Sequence, residues 1–120
     1  MTGILIVGAG RMGSALLKRW VEIDDLELIA VEPAEDLNAS AAQSCPTFRR
    51  IEDVPKHLRF DAIIIATKPQ SVRQVAAWCG GNLSEDSIII SIAAGVSLNT
   101  IAAAAGADRP IVRAMPNLPV

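Results

Sequence analysis

The chain has 120 residues, 11 Lys and Arg against 13 Asp and Glu, a formal net charge of −2 and 51% apolar residues. This length supports one domain that buries roughly two-thirds of its unfolded surface. The charge balance leaves no clustered basic surface of the kind a nucleic-acid partner requires, so a compact, soluble, cytoplasmic domain without nucleic-acid or membrane partners is expected.

Ile4-Leu5-Ile6-Val7, bounded by Gly8, has the pattern of a strand buried on both faces, with no basic segment before it to make a secretory signal. From Gly10 to about Ile23 the apolar residues Met12, Ala15, Leu16, Trp20 and Ile23 recur at helical spacing. Leu26 to Val31 is a second strand, stopped at Glu32-Pro33. A short helix over Asp36 to about Gln43, a weak third strand over Thr47 to Arg50 and a turn or single helical turn over Glu52 to Pro55 follow. Ala62-Ile63-Ile64-Ile65-Ala66 is the clearest buried strand. Pro69 suits the first turn of the next helix, which Gly80-Gly81 should end.

The stretch from Ser87 to Ala107 carries no charge, but its Ser, Asn, Thr and Gly divide it into strand, loop and helix, so it is not a membrane span. Ser87 to Ile92 is the strand, Ser97 to Ala105 an Ala-rich helix stopped by Gly106, and Pro110 to Ala114 the last strand. Helices between short β-branched runs are the signature of βαβ units. The expected fold is a single α/β domain over residues 1–120, with a doubly wound, mainly parallel sheet of Rossmann type.

Gly8-Ala9-Gly10-Arg11-Met12-Gly13 fits G-x-G-x-x-G and stands directly after the first strand, at the opening of the first helix. Gly8 permits the tight turn, Gly10 lets the backbone approach a pyrophosphate, and Gly13 lets helix and strand pack closely. The helix N-terminus then offers N–H groups and partial positive charge to phosphates. The alternative is a structural turn that binds nothing. Glu32, at the end of the second strand, is placed to accept hydrogen bonds from a ribose 2′-OH and to repel a 2′-phosphate. No Lys or Arg occurs between Arg19 and Arg49 to counter that phosphate, which favours NAD(H) over NADP(H). Against this stand a solvated Glu32 that merely ends the strand, and an Arg11 that swings over to meet a 2′-phosphate. Gly8, Glu32, Ala66, Ala93 and Met115 all fall at predicted carboxyl ends of strands, the edge where an open α/β sheet binds its ligand.

Three further segments, Thr67-Lys68-Pro69-Gln70, Ser91-Ile92-Ala93-Ala94-Gly95-Val96-Ser97-Leu98 and Val112-Arg113-Ala114-Met115-Pro116-Asn117-Leu118-Pro119, complete a set. Together with Gly8 to Gly13, and in this order, they resemble the N-terminal half of pyrroline-5-carboxylate reductase, the enzyme that makes proline. The resemblance implies hydride transfer from the nicotinamide of NAD(P)H to the C=N carbon of the cyclic imino acid, a small-molecule substrate, in a homo-oligomer. It implies that Ala66, Thr67, Lys68 and Pro69 form a loop over the adenosine and diphosphate side. Ala93, Ala94 and Gly95 would let a ring approach the backbone, and Pro116 and Asn117 would border the nicotinamide. Asn117 is the one candidate for a catalytic role. Lys68 reads equally as a solvated loop lysine, Gly95 as a simple turn, and Pro116-Asn117 as a plain terminal loop.

The sequence departs from the family at Arg11, where Asn is usual, and at Leu118, where Thr is usual. Family members continue into a helical domain that dimerises and supplies much of the imino-acid site. The resemblance therefore implies a cofactor domain alone, which binds cofactor and lacks full activity, with an apolar patch around Ile111, Met115, Leu118 and Val120. Rival readings are the nucleotide domain of a β-hydroxyacid or F420-linked reductase, and a dinucleotide-binding module without catalysis. His57 lies in a charged stretch, Cys45 and Cys79 have neither disulfide nor metal spacing, and Trp20 and Trp78 fit helix faces. No metal is expected, and no carboxylate pair or Ser-His-Asp set suggests hydrolysis.

Overall fold

The computed structural model describes residues 2–8, 11–32, 45–56, 58–106 and 108–115. In chain order the elements are β1 (Thr2–Val7), α1 (Arg11–Trp20), β2 (Leu26–Val31), β3 (Thr47–Phe48), β4 (Ala62–Ile65), α2 (Val72–Asn82), β5 (Ile88–Ser91), α3 (Leu98–Ala105) and β6 (Ile111–Arg113). Short 3-10 turns cover Ile51–Asp53 and Pro69–Ser71. The strands form one sheet in the order β3-β2-β1-β4-β5-β6, and every neighbouring pair is parallel. This is the doubly wound arrangement expected from the alternation of apolar runs and helices. The helix expected over 36–43 lies outside the described residues.

Alternation along each strand distributes side chains to two cores. Leu5, Val7, Ile63, Ile65 and Ile89 point to one face and pack with Val72, Val75, Ala76 and Cys79 of α2 and Ile101 and Ala105 of α3. Ile6, Leu28, Ala30 and Ile64 point to the other, under Leu17 of α1 with Leu16 and Trp20 beside it. A strand covered on both faces needs apolar residues at successive positions, which is why Ile63-Ile64-Ile65 is continuous instead of alternating with polar residues.

Three boundaries differ from the expectations. α1 stops at Trp20, because the chain must turn into β2. Val21 N–H still reaches the Leu17 carbonyl (3.0 Å), but Ile23 N–H bonds Trp20 O (3.0 Å), and Ile23 is left exposed. β3 is limited to Thr47–Phe48, with Arg49 and Arg50 in a bend. α2 does not end at Gly80-Gly81 but runs through both to Asn82. Gly80 is a contact residue, since a Cβ there would stand 2.6 Å from the Ala105 carbonyl oxygen of α3. The helix stops just after them, at Asn82, where Leu83 is extended and its N–H bonds Cys79 O. α3 is bounded as expected, by Ser97, whose side chain accepts from Thr100 N–H (3.2 Å), and by Gly106.

Candidate dinucleotide site

Because all six strands are parallel, their carboxyl ends share one edge. Lateral hydrogen bonds continue one residue beyond the strands and lock that edge together. Gly8 N–H donates to Val31 O (2.7 Å), Ala66 N–H to Val7 O (2.8 Å), Ile92 N–H to Ile65 O (3.0 Å), Glu32 N–H to Phe48 O (2.9 Å) and Ala114 N–H to Ser91 O (2.9 Å). Strand order reverses between β1 and β4, since β1 leads outward to β2 and β4 outward to β5. The crevice at such a reversal is where open α/β sheets bind ligands, and Gly8 and Ala66-Thr67 flank it.

Gly8 has φ +96, and a Cβ there would lie 2.8 Å from the Ala66 carbonyl carbon and oxygen and 2.9 Å from Thr67 N. Only glycine lets the β1 and β4 loops meet this closely. A Cβ on Gly13 would overlap the Gly8 carbonyl oxygen, so α1 lies directly on the end of β1. α1 carries no acidic residue in its first turn and Lys18 and Arg19 in its last. Its positive end therefore faces the crevice without a competing carboxylate. Met12 is half-buried on that helix. Ala9, Gly10, Pro116 and Asn117 lie outside the described residues, and Arg11 opens α1.

Glu32 is buried, at 8% exposure, at the end of β2. The reading of a solvated strand end does not hold, because a carboxylate is removed from water only where something compensates it. In the loop after β4, Lys68 and Pro69 are exposed and Pro69 opens the 3-10 turn into α2, as its fixed φ favours. Thr67 is half-buried, with an Oγ1 that has no hydrogen-bond partner among the described residues.

After β5, Ala93 is buried in the core with α2 and α3, while Ala94 and Gly95 are exposed. Gly95 has φ +76 and open space around it, as its reading as a turn requires. Sequence reasoning gave Ser91 no role. It is buried, and its Oγ accepts from Ala93 N–H (3.4 Å), tying the Ala93-Ala94-Gly95 turn to the strand. A serine closing an isoleucine run was the signal available.

His57 lies outside the described residues. Cys79 is fully buried away from this edge, and its thiol is pushed up to about 12, by burial first, against a smaller pull from Arg109. Among the described residues no group of three or more His, Cys, Asp or Glu is placed to hold a metal ion, and no helix is long and apolar enough to cross a membrane.

A nucleotide diphosphate needs backbone that approaches without Cβ atoms, N–H donors aimed outward and a hydroxyl or charge nearby. Gly8, Gly13 and the start of α1 supply the approach and the donors in one crevice, with Glu32 at the end of the neighbouring strand. The residues present fit the group.

Comparison with known proteins agrees with this geometry. The chain is 33% identical to the pyrroline-5-carboxylate reductase of Escherichia coli, over 94% of its own length and 43% of that relative. Among solved structures, the pyrroline-5-carboxylate reductase of Coxiella burnetii superposes with a TM-score of 0.83 at 25% identity, covering 98% of this chain and 45% of that one. The 1-pyrroline-5-carboxylate reductase of Streptococcus pyogenes does so with a TM-score of 0.72 at 31% identity, covering 96% and 42%. The chain thus spans less than half the length of the relatives it matches. A family model described as "NADP oxidoreductase coenzyme F420-dependent" matches residues 3–95. The chain belongs to that family, as a Rossmann-type nucleotide domain like the N-terminal domain of the pyrroline-5-carboxylate reductases.

Proposed function

We propose that this chain is the cofactor-binding half of a reductase that transfers hydride from NADH to the C=N carbon of 1-pyrroline-5-carboxylate, giving proline. The observation that carries this reading is the convergence of Gly8, Glu32, Ala66-Thr67 and Ala93 on one sheet edge, in a chain aligned almost end to end with pyrroline-5-carboxylate reductases. The bound cofactor supplies the hydride. Gly8, Ala9, Gly10, Arg11, Met12 and Gly13 hold its diphosphate against the start of α1, and Ala66, Thr67, Lys68 and Pro69 close over the adenosine side. Ala93, Ala94, Gly95, Pro116 and Asn117 border the nicotinamide, where positioning of two rings is the main task left to the protein. Asn117 is the residue proposed to reach the reacting groups.

Glu32 selects NADH over NADPH in this reading. Its buried carboxylate suits a ribose diol and repels a 2′-phosphate, and the sequence offers no Lys or Arg from residue 20 to 48 to offset that repulsion. The chain is proposed to act within a homo-oligomer of a soluble, cytoplasmic enzyme and, by itself, to bind cofactor without full turnover.

Calorimetric titration with NADH and NADPH, followed by a turnover assay with pyrroline-5-carboxylate, tests the reading. Tighter binding of NADH, reversed or abolished in Glu32→Arg, is the expected result. Equal or tighter binding of NADPH by the unaltered chain would remove Glu32 from its role. The family that matches residues 3–95 favours one rival, an F420-linked reductase. Cofactor oxidation that needs F420 and ignores the imino acid would decide for it.

A further inference from the structure

The two segments proposed to border the nicotinamide leave the sheet from neighbouring strands, Ala93-Ala94-Gly95 after β5 and Pro116-Asn117 after β6. They can serve one ring only while β5 and β6 keep a fixed register. The ladder ties the pair at both ends, through Ile89 N–H to Pro110 O (3.0 Å) and Ala114 N–H to Ser91 O (2.9 Å). Burial adds little to it. β6 is an edge strand of three residues, of which Val112 and Arg113 are exposed and only Ile111 packs against the core. A strand with so little buried surface opens locally at small cost.

Arg109 offsets that deficit from outside the ladder. It stands two residues before β6, in the connection from α3, and its guanidinium crosses to the connection between α2 and β5. Nη1 donates to Ser84 O (2.6 Å) and Nη2 to Leu83 O (2.7 Å), with Gly80 O at 3.4 Å from Nη2. Its own N–H donates to Gly106 O (3.4 Å), closing the turn from which the side chain reaches out. A planar fork bound at both nitrogens fixes direction as well as distance. The start of β6 is thereby tied to the chain that enters β5. None of these partners lies on β1, β2 or β4, the strands whose ends carry the proposed diphosphate and adenosine sites.

We infer that Arg109 is a positioning residue for the nicotinamide half of the site. Its fork holds β6 in register on β5, and so sets where the two bordering segments stand relative to each other, without touching cofactor or substrate. The inference rests on the dinucleotide reading above and divides that site into a half that depends on Arg109 and a half that does not. A displacement of about 1 Å is enough to spoil contacts that must be made together.

The experiment compares Arg109→Ala and Arg109→Lys with the unaltered chain, by calorimetric binding of NADH and of ADP and by amide hydrogen exchange at Ala114 and Ala66. Both amides make lateral bonds at the carboxyl edge, one on β6 and one beside β1. Arg109→Ala should bind NADH roughly fivefold more weakly and ADP within about twofold, and should speed exchange at Ala114 roughly fivefold with Ala66 unchanged. Arg109→Lys, the milder change, should fall between the two in NADH binding and in Ala114 exchange. Equal weakening of NADH and ADP, or exchange raised equally at both amides, shows an effect on the whole fold and overturns the inference while the dinucleotide reading stands. Unchanged NADH binding in Arg109→Ala overturns it in the same way. An unaltered chain that binds ADP as tightly as NADH has no nicotinamide contact to position, and overturns the inference together with that half of the reading. An unaltered chain that binds neither ligand overturns both.

Discussion

Gly8, Gly13 and Gly95 share a residue type, and substitution acts on each through a different cause. Gly8→Ala meets both a positive φ and the Ala66 backbone 2.8 Å away, and neither can relax without moving β4's loop. It is expected to cost about 2–3 kcal/mol in urea unfolding and to abolish NADH binding. Gly95→Ala meets only the φ term, with nothing within 4 Å, and should cost about 1 kcal/mol. Near-equal losses at the two positions would remove the case that the β1–β4 approach is what Gly8 serves.

Cys79 makes a separate test at the same scale. Burial raises its thiol from the usual 9.0 to about 12, outweighing the Arg109 charge and a backbone hydrogen bond that act downward. The unfolded chain releases this proton near pH 9 and the native state keeps it. The contribution to stability is therefore complete below pH 9 and is lost as pH rises from about 9 through 12. Cys79→Ala should flatten that alkaline decline while costing stability at neutral pH, as removal of a buried group does. Half-buried Cys45 should alkylate before Cys79, which reacts only on unfolding. Native-state labelling of both thiols at equal rates would contradict the packing.

At the scale of elements, the contact between α2 and α3 is set by small residues and one long one. Gly80 lets α2 meet the Ala105 carbonyl at the end of α3. Beside it, Arg109 in the loop before β6 donates from Nη1 to Ser84 O (2.6 Å) and from Nη2 to Leu83 O (2.7 Å), just beyond the C-terminus of α2. The guanidinium thereby satisfies carbonyls the helix end leaves over and complements its negative pole. Arg109→Ala should cost about 1–2 kcal/mol, and Arg109→Lys should recover only part, because a compact ammonium lacks the rigid planar fork whose two nitrogens reach the two carbonyls here. Gly80→Ala gains up to about 1 kcal/mol of helix propensity and should still destabilise, since the clash is with backbone. Chemical denaturation of the three variants measures all of these, and a stabilised Gly80→Ala would refute the contact.

At the scale of the molecule, the two faces of the sheet are unequally covered. α2 and α3 lie on one face, and α1 covers the β2-β1-β4 side of the other. Ile90, on the α1 face, is paired in register with Val112, which is 48% exposed, and Ile88 is 39% exposed. Among the described residues no helix stands over that β5–β6 region. The apolar patch thus departs from the one expected. Ile111 packs into the α2–α3 core, Val112 takes the outward position, and Met115 is exposed as anticipated. Leu118 and Val120 lie outside the described residues. A contiguous apolar surface of this kind favours association, so sizing chromatography should show concentration-dependent self-association that Val112→Lys reduces. A monomer across a wide concentration range would count against the homo-oligomer proposed here.

How much of this was legible depends on whether the physics is local. Strand runs, the glycine spacing and the acidic residue after β2 are properties of neighbouring residues, so the α/β alternation, the tight turn at Gly8 and the gathering of Gly8, Glu32, Ala66 and Ala93 on one edge were readable from residue types alone. Periodicity cannot say which partner an element will meet. Gly80 therefore read as a stop signal although α3 makes it a contact, and Ile23 read as part of a helix face although the turn into β2 exposes it. Thr67 and Ser91 show the same division within the site. The sequence by itself determined a doubly wound domain with a glycine-rich turn between β1 and α1. Only the tertiary structure decided which hydroxyl is satisfied, which face is bare and how closely the β1 and β4 loops meet, because burial and hydrogen bonding are settled between segments far apart in the chain.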